Sequence, residues 1–251
     1  MKNILDYETV FFDINGVITE NSRLIDGAIE LINLLKKNHI KVRLLTNCIS
    51  INTQLLTNKL IDLGLPIKRS EIVSAIDTCQ SYLKKHNLKP YCLINKHTAS
   101  EFTHYSKEEA NCILLGDARE KLNYHNLNTA FNLIQQGLVL YAIGDNRYFK
   151  SNNNLMLDTG AFVHLLQHTT QKEAIILGKP HVDFFNSAIK KVNSEANHCL
   201  MVGDDIFGDI EGALMSGMDA VLVKTGKYQQ GDELKLTQRV NTLDSIINFM
   251  D

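Results

Sequence analysis

Four short segments of this chain carry residue types that handle phosphate, and each follows or ends a run of apolar residues. They are residues 11–16, 45–47, 178–180 and 203–209. Together they supply a carboxylate nucleophile, a hydroxyl donor, a cation and a second acidic cluster. This inventory is typical of metal-assisted phosphoryl transfer through an aspartyl-phosphate.

Asp13 is the candidate nucleophile, because it ends an apolar run three residues before Gly16. One of its carboxylate oxygens could attack phosphorus while the other binds Mg²⁺. An aspartate near a glycine is also common as a cap or turn residue, so this motif alone leaves both interpretations open.

Asp204, Asp205 and Asp209 form a second acidic cluster at the end of another apolar run. Neighbouring carboxylates repel each other unless a cation lies beside them, and Mg²⁺ prefers oxygen ligands. The alternative is a solvated acidic loop with a charge at a helix N-terminus. With Asp13 in the same chain, the sequence favours the metal site.

The remaining candidates would bind the phosphoryl group. Thr46 and Asn47 offer a hydroxyl and backbone donors at the start of a helical segment, where an N-cap pair is the alternative. Cys48 follows them and would contribute its backbone N–H rather than its sulfur. Lys179 would neutralise the charge of the transferred group, although a surface lysine in a turn before Pro180 is the other interpretation.

Composition excludes several classes of function. A net charge of -2, with no basic run interleaved with aromatics, indicates no nucleic-acid partner. No apolar run approaches the roughly 20 residues that span a bilayer, and the first residues reach an acid before a signal peptide could form. We therefore expect a cytoplasmic protein without a membrane partner; a homodimer is an open alternative to a monomer. The five cysteines are odd in number and widely spaced, which predicts reduced thiols.

The elements that must position these residues alternate between strand and helix. We predict strands at 10–14, 42–45, 199–202 and 220–223, and helices at 24–37, 51–63 and 210–215. This order is typical of an α/β fold with a Rossmann-like parallel sheet, in which ligands bind at the carboxyl ends of strands. Asp13, Thr46, Lys179 and Asp204 are all predicted at such ends.

The middle of the chain predicts a second α/β domain inserted into the first. It has strand candidates at 91–94, 112–115 and 139–143, helix candidates at 77–86, 127–136 and 161–168, and a loop-like stretch at 148–154. We therefore expect a core domain formed by residues 1–75 and 172–251, and an inserted domain formed by residues 76–171.

The four segments, in this order and around such an insertion, resemble the haloacid dehalogenase superfamily of phosphatases, in the branch with a large inserted α/β cap. The resemblance implies Asp13 as nucleophile and metal ligand, position 15 as a ligand through its backbone carbonyl, and Asp204 as the third protein ligand of Mg²⁺. It also implies that four residues bind the phosphoryl group: Thr46, Asn47, Cys48 and Lys179. Asp205 and Asp209 are further candidate metal ligands.

Asn15 departs from the pattern, since most of this superfamily has an aspartate there. That aspartate would protonate the leaving group and then activate water, whereas an amide can position water but cannot take its proton. General acid–base help is typically worth roughly 10²–10⁴-fold, so we expect a slow enzyme.

Three classes of function stay open. The first is a Mg²⁺-dependent phosphohydrolase acting on pyrophosphate, on phosphohistidine or phospholysine in a phosphoprotein, or on a small phosphorylated metabolite. The second, favoured by Asn15, is a catalytically impaired module that binds phosphate or a phosphoprotein. The third is a phospho-acceptor like a receiver domain, which the inserted middle domain argues against.

Overall fold

The computed structural model describes residues 2–151, 154–238 and 240–250. Its strands, in chain order, are β1 Thr9–Asp13, β2 Thr19–Glu20, β3 Arg23–Leu24, β4 Lys41–Thr46, β5 Ile72–Ser74, β6 Pro90–Leu93, β7 Cys112–Leu115, β8 Val139–Ala142, β9 Tyr148–Ser151, β10 Asn154–Leu157, β11 Ile175–Ile176, β12 Cys199–Gly203, β13 Asp219–Val223 and β14 Asn241–Leu243. Its α-helices are α1 Ala28–Lys37, α2 Thr53–Asp62, α3 Ala75–Lys85, α4 Tyr124–Gln135, α5 Thr159–Thr170, α6 Val182–Lys191 and α7 Gly212–Met215.

The chain divides into two compact units. The first contains the residues up to Thr46, Gln54–Val73 and the residues from Pro180 onward, and the second contains Asn47–Thr53 and Ser74–Lys179. The chain passes from one unit to the other at residues 46/47, 53/54, 73/74 and 179/180, whereas the sequence places the domain boundaries at 75/76 and 171/172. The domain boundaries drawn from the sequence remain a prediction.

The first unit is built on a six-stranded sheet in the order β14-β13-β12-β1-β4-β5. The pairings from β14 through to β4 are all parallel. Every residue of β1 and β12 is buried, as expected for central strands whose two faces are both covered. The carboxyl ends of β1, β4 and β12 therefore lie at one edge of this sheet.

The second unit has its own parallel sheet in the order β11-β8-β7-β6. Its core joins strands β7 and β8 to helices α4 and α5, through residues that include Leu115, Leu140, Leu133 and Val163. The α/β fold class predicted from the sequence, with a parallel-sheet core and an inserted α/β unit, is confirmed.

Some element predictions were wrong. The helix predicted from residue 24 begins at Ala28, because Arg23–Leu24 pairs with Thr19–Glu20 in a small hairpin. The stretch 148–154, predicted as a loop, instead contains strand β9 and the first residue of β10, which pair antiparallel, while its residues 152 and 153 lie outside the described part of the chain.

Among the described residues, none of the helices is both long enough and apolar enough to cross a membrane.

Candidate active site

Asp13 is placed at the sheet edge by two neighbouring strands. It is the last residue of β1, and its Cα is in register with Leu45 of β4, one residue before Thr46. On the other side β1 pairs with β12, which ends at Gly203 just before Asp204. Because all three strands are parallel, the chain delivers Asp13, Thr46 and Asp204 to the same edge of the sheet.

Three carboxylates converge there. One oxygen from each of Asp13, Asp204 and Asp209 lies within 4.8 Å of the other two, and all three residues are buried. Burial raises the pKa of Asp204 well above its usual range, and the neighbouring charges of Asp13 and Asp209 raise it further. Buried carboxylates this close together repel one another unless a cation lies between them, so the donor set fits a hard divalent metal ion.

Two glycines make room for the Asp204 carboxylate. Gly16 and Gly226 have φ angles of +90° and +60°, and a Cβ atom on either would collide with that carboxylate. The Thr225 hydroxyl donates a hydrogen bond to the Gly16 carbonyl, which joins the two glycine-containing loops. Asp204 is therefore enclosed by backbone rather than by side chains on these two sides.

Lys227 orients the acidic cluster from the loop after β13. Its backbone N–H donates to Asp204 Oδ2 at 2.7 Å, and its Nζ lies 3.1 Å from Asp205 Oδ2. Burial opposes the lysine charge, but the carboxylates of Asp205, Asp204 and Asp209 outweigh it and raise the pKa of Lys227. Sequence reasoning assigned Lys227 no role.

Asp205 and Asp209 have different surroundings although they are four residues apart. The Asp205 carboxylate accepts hydrogen bonds from the backbone N–H groups of Phe207 and Gly208, at 3.1 and 2.9 Å, and so caps the π-helical turn Ile206–Glu211. Asp209 lies on that turn and joins the group of three carboxylates. Its Oδ2 accepts from the Asp205 backbone N–H at 3.3 Å.

Asn15 is exposed, unlike the buried Asp13 two residues before it. The Thr19 hydroxyl lies 3.3 Å from the Ile14 carbonyl and 3.5 Å from Asn15 Oδ1. The Gly16 backbone N–H donates to the Thr19 carbonyl at 2.7 Å, which closes a tight loop around this position. The carbonyl of Asn15 as a metal ligand stays a prediction.

The predicted phosphoryl-binding residues fall in both units. Thr46 is buried at the end of β4 in the first unit, whereas Asn47, Cys48 and Lys179 belong to the second. Cys48 Sγ lies 3.2 Å from the Ser50 hydroxyl, and Lys179 is buried. Asn47 and Lys179 are brought together by hydrogen bonds between the Asn47 amide and the Lys179 main chain.

Comparison with known proteins places the chain in a family. A sequence profile of haloacid dehalogenase-like hydrolases matches residues 10–108, and a second, HAD-hydrolase-like profile matches residues 176–247. The chain is 37% identical to phospholysine phosphohistidine inorganic pyrophosphate phosphatase of Mus musculus, over 89% of this chain and 85% of the relative. It is 32% identical to haloacid dehalogenase-like hydrolase domain-containing protein 2 of the same organism, over 91% of this chain and 88% of the relative.

Solved structures show the same fold. The 4-nitrophenylphosphatase of Thermotoga maritima superposes with a TM-score of 0.90 at 19% identity, over 98% of this chain and 97% of that one. NagD from E. coli K-12 superposes with a TM-score of 0.85 at 20% identity, over 96% and 97%. The fold match extends over nearly the whole chain, and the identity to the curated relatives confirms the resemblance seen in the sequence. The chain therefore belongs to the haloacid dehalogenase-like hydrolases.

Proposed function

We propose that this protein is a Mg²⁺-dependent phosphohydrolase that works through an aspartyl-phosphate on Asp13. The observation that carries the proposal is the convergence of three buried carboxylates, Asp13, Asp204 and Asp209, at the carboxyl edge of a parallel sheet. Family membership supports a hydrolase, and the names of curated relatives at 34–38% identity support phosphatase chemistry.

In the first step, a carboxylate oxygen of Asp13 attacks phosphorus, and the bond from phosphorus to the leaving group breaks with its electron pair on the leaving group. The Thr46 hydroxyl donates to a phosphoryl oxygen, and the Lys179 ammonium neutralises charge on the transferred group. In the second step, water attacks phosphorus, and the bond from phosphorus to the Asp13 oxygen breaks with its electron pair on the carboxylate. The protons of the water leave on the inorganic phosphate, so Asp13 is restored as a carboxylate.

Asp13, Asp204, Asp209 and the backbone carbonyl of Asn15 would hold Mg²⁺. When bound, the ion would screen the carboxylates from an anionic substrate and polarise a phosphoryl oxygen. We assign Asp205 a supporting part, because its carboxylate already caps the turn of Asp209 and pairs with Lys227.

Substrates whose leaving groups need little protonation suit Asn15. The amide can hold a water molecule but cannot take its proton or protonate a leaving group. We therefore propose pyrophosphate, phosphohistidine or phospholysine as better substrates than alkyl phosphate esters. The relatives named for phospholysine, phosphohistidine and pyrophosphate support this class, and a small phosphorylated metabolite is the remaining candidate.

A panel of substrates tests the proposal. Phosphate release is measured from pyrophosphate, phosphohistidine, phospholysine and sugar phosphates, with and without Mg²⁺, for wild type, Asp13→Asn and Asp62→Asn. Asp62 is an exposed aspartate at the end of α2 and serves as the matched control. We expect Asp13→Asn to abolish Mg²⁺-dependent release and Asp62→Asn to leave it unchanged. Wild-type binding of phosphate without turnover would favour the impaired binding module, and turnover by Asp13→Asn would remove the nucleophile assignment.

A further inference from the structure

The side chain of Asn47 holds both main-chain polar groups of Lys179. Its Nδ2 donates to the Lys179 carbonyl at 2.8 Å, and its Oδ1 accepts from the Lys179 backbone N–H at 2.8 Å. The two residues are 132 positions apart in the chain and belong to the same compact unit. One side-chain amide therefore provides the acceptor for the Lys179 N–H and the donor for the Lys179 carbonyl, two partners that a neighbouring strand would usually provide.

The Asn47 amide is enclosed by two glycines. A Cβ on Gly178 would lie 2.6 Å from Asn47 Oδ1 and would collide with the carbonyl of Ile143, and a Cβ on Gly144 would lie 3.1 Å from Asn47 Nδ2. Neither position accepts a side chain without moving the amide or the backbone. The amide is thus fixed by close packing as well as by its hydrogen bonds.

Lys179 lies where regular structure has already ended. Strand β11 is only two residues long, and Leu177 extends its pairing by one hydrogen bond to the Ala142 carbonyl, at 2.8 Å. Pro180 follows directly and has no N–H to donate. Beyond the end of the strand, the Asn47 side chain supplies a partner to each main-chain polar group of Lys179.

We propose that Asn47 is a positioning residue for Lys179. By holding the main chain of Lys179, the Asn47 side chain sets the position of the lysine ammonium. The assignment rests on the proposed function, in which Lys179 neutralises the transferred phosphoryl group. It gives the Asn47 side chain a role beside the backbone donor that the sequence predicts for the phosphoryl group. Asn47 also follows Thr46 directly, so it is covalently attached to one proposed phosphoryl ligand and hydrogen-bonded to another.

Hydrogen–deuterium exchange tests the hydrogen bonds without reference to activity. In Asn47→Ala the Lys179 amide loses its acceptor, and we expect its exchange to be roughly tenfold faster. The matched control is Asn111→Ala, since Asn111 holds the Lys89 N–H at 2.7 Å and the Asn87 carbonyl at 3.4 Å in the same way, on the surface of the same unit. Unchanged exchange at Lys179 in Asn47→Ala would overturn the proposal.

A double-mutant cycle tests the link to the reaction. Lys179→Ala, Asn47→Ala and the double variant are compared for kcat/KM on pyrophosphate and for the affinity for orthophosphate by calorimetry, with circular dichroism confirming the fold of each. We expect Asn47→Ala to lose roughly tenfold or more in both, and the double variant to lose no more than Lys179→Ala. Asn47→Asp keeps the acceptor for the Lys179 N–H and loses the donor, so the exchange rate of that amide should fall between those of wild type and Asn47→Ala.

The outcomes separate the two proposals. Additive losses in the cycle would mean that Asn47 acts independently of Lys179 and would overturn the positioning role. A wild-type protein that neither hydrolyses the panel nor binds orthophosphate would overturn the proposed function and, with it, the catalytic part of this inference. In that case faster exchange at Lys179 in Asn47→Ala would still establish the hydrogen-bonded clamp itself.

Discussion

At the scale of single residues, the proposed chemistry rests on the contrast between Asp13 and Asn15. The first is buried in the carboxylate cluster, and the second is exposed and carries no acid. A nucleophile without a neighbouring acid can be phosphorylated only when the leaving group departs readily. The identity of position 15 therefore bears on substrate choice more than on the existence of the site.

Asn15→Asp should widen the range of substrates. It restores a group that can protonate a leaving alkoxide, so we expect turnover on alkyl phosphate esters to rise by up to about 10²-fold, with a smaller gain on pyrophosphate. The ratio of kcat on an alkyl ester to kcat on pyrophosphate is the measurement. Asn33→Asp adds the same charge on the exposed face of α1 and is the control. An equal gain on all substrates, or none, would show that position 15 does not limit leaving-group departure.

The acidic residues could be identified from the sequence, but their separate roles at the site could not. Asp13 and Asp204 follow apolar strands, so a parallel sheet predicts that they meet. Asp205 and Asp209 could not be distinguished, because the sequence carries no signal for the π-helical turn that follows Asp205. In that turn the backbone N–H groups of Phe207 and Gly208 donate to the Asp205 carboxylate, whereas the Asp209 carboxylate lies in the cluster with Asp13 and Asp204.

At the scale of elements, the loops after β1 and β13 shape the site together. Gly16 and Gly226 flank the Asp204 carboxylate, and Lys227 holds it through a backbone N–H. Both glycines have positive φ angles, which a residue with a Cβ adopts only with strain. The sequence marks such glycines as turn residues, but which carboxylate they surround depends on contacts between distant segments and could not be predicted.

Gly226→Ala should damage the site beyond its effect on the loop. The left-handed backbone costs an alanine about 1–2 kcal/mol, and the added methyl group would also displace the Asp204 carboxylate. We expect a loss of Mg²⁺ affinity and of kcat/KM of roughly tenfold or more. Gly231→Ala is the matched control, since Gly231 has a φ of +92° and open space around it. Equal effects of both substitutions on Mg²⁺ affinity would remove the packing explanation and leave only backbone strain.

At the scale of the whole molecule, the alternation of strands and helices predicted the α/β class correctly. The central strands of both sheets could be identified because each is a buried apolar run. The short elements β2, β3, β9 and β10 were missed, since they are two to four residues long and β10 is exposed along its length. Strands this short hold too few residues to show the apolar alternation by which strands are recognised in a sequence.

The same carboxylates that would hold Mg²⁺ should destabilise the metal-free protein. Burial and the charges of Asp13 and Asp209 raise the pKa of Asp204, which means that its ionised form is disfavoured in the folded chain. Asp204→Asn removes one charge from the cluster. We therefore expect this variant to unfold at a higher temperature than metal-free wild type at pH 7. It should lose activity at the same time, because residues that serve an active site often lower the stability of the fold.

Addition of Mg²⁺ should reverse this order. A ligand at 100 times its Kd stabilises the folded state by about 2.7 kcal/mol, which corresponds to roughly 5–10 °C in a protein of this length. Because Asp13, Asp204 and Asp209 all belong to the first compact unit, scanning calorimetry should show the shift in the transition of that unit. Asp204→Asn should show little shift, whereas the exposed Asp62→Asn should behave like wild type. A wild-type midpoint that is the same in Mg²⁺ and in chelator would mean that the three carboxylates do not form a metal site, and a metal-free Asp204→Asn less stable than wild type would mean that their mutual repulsion is not what limits stability.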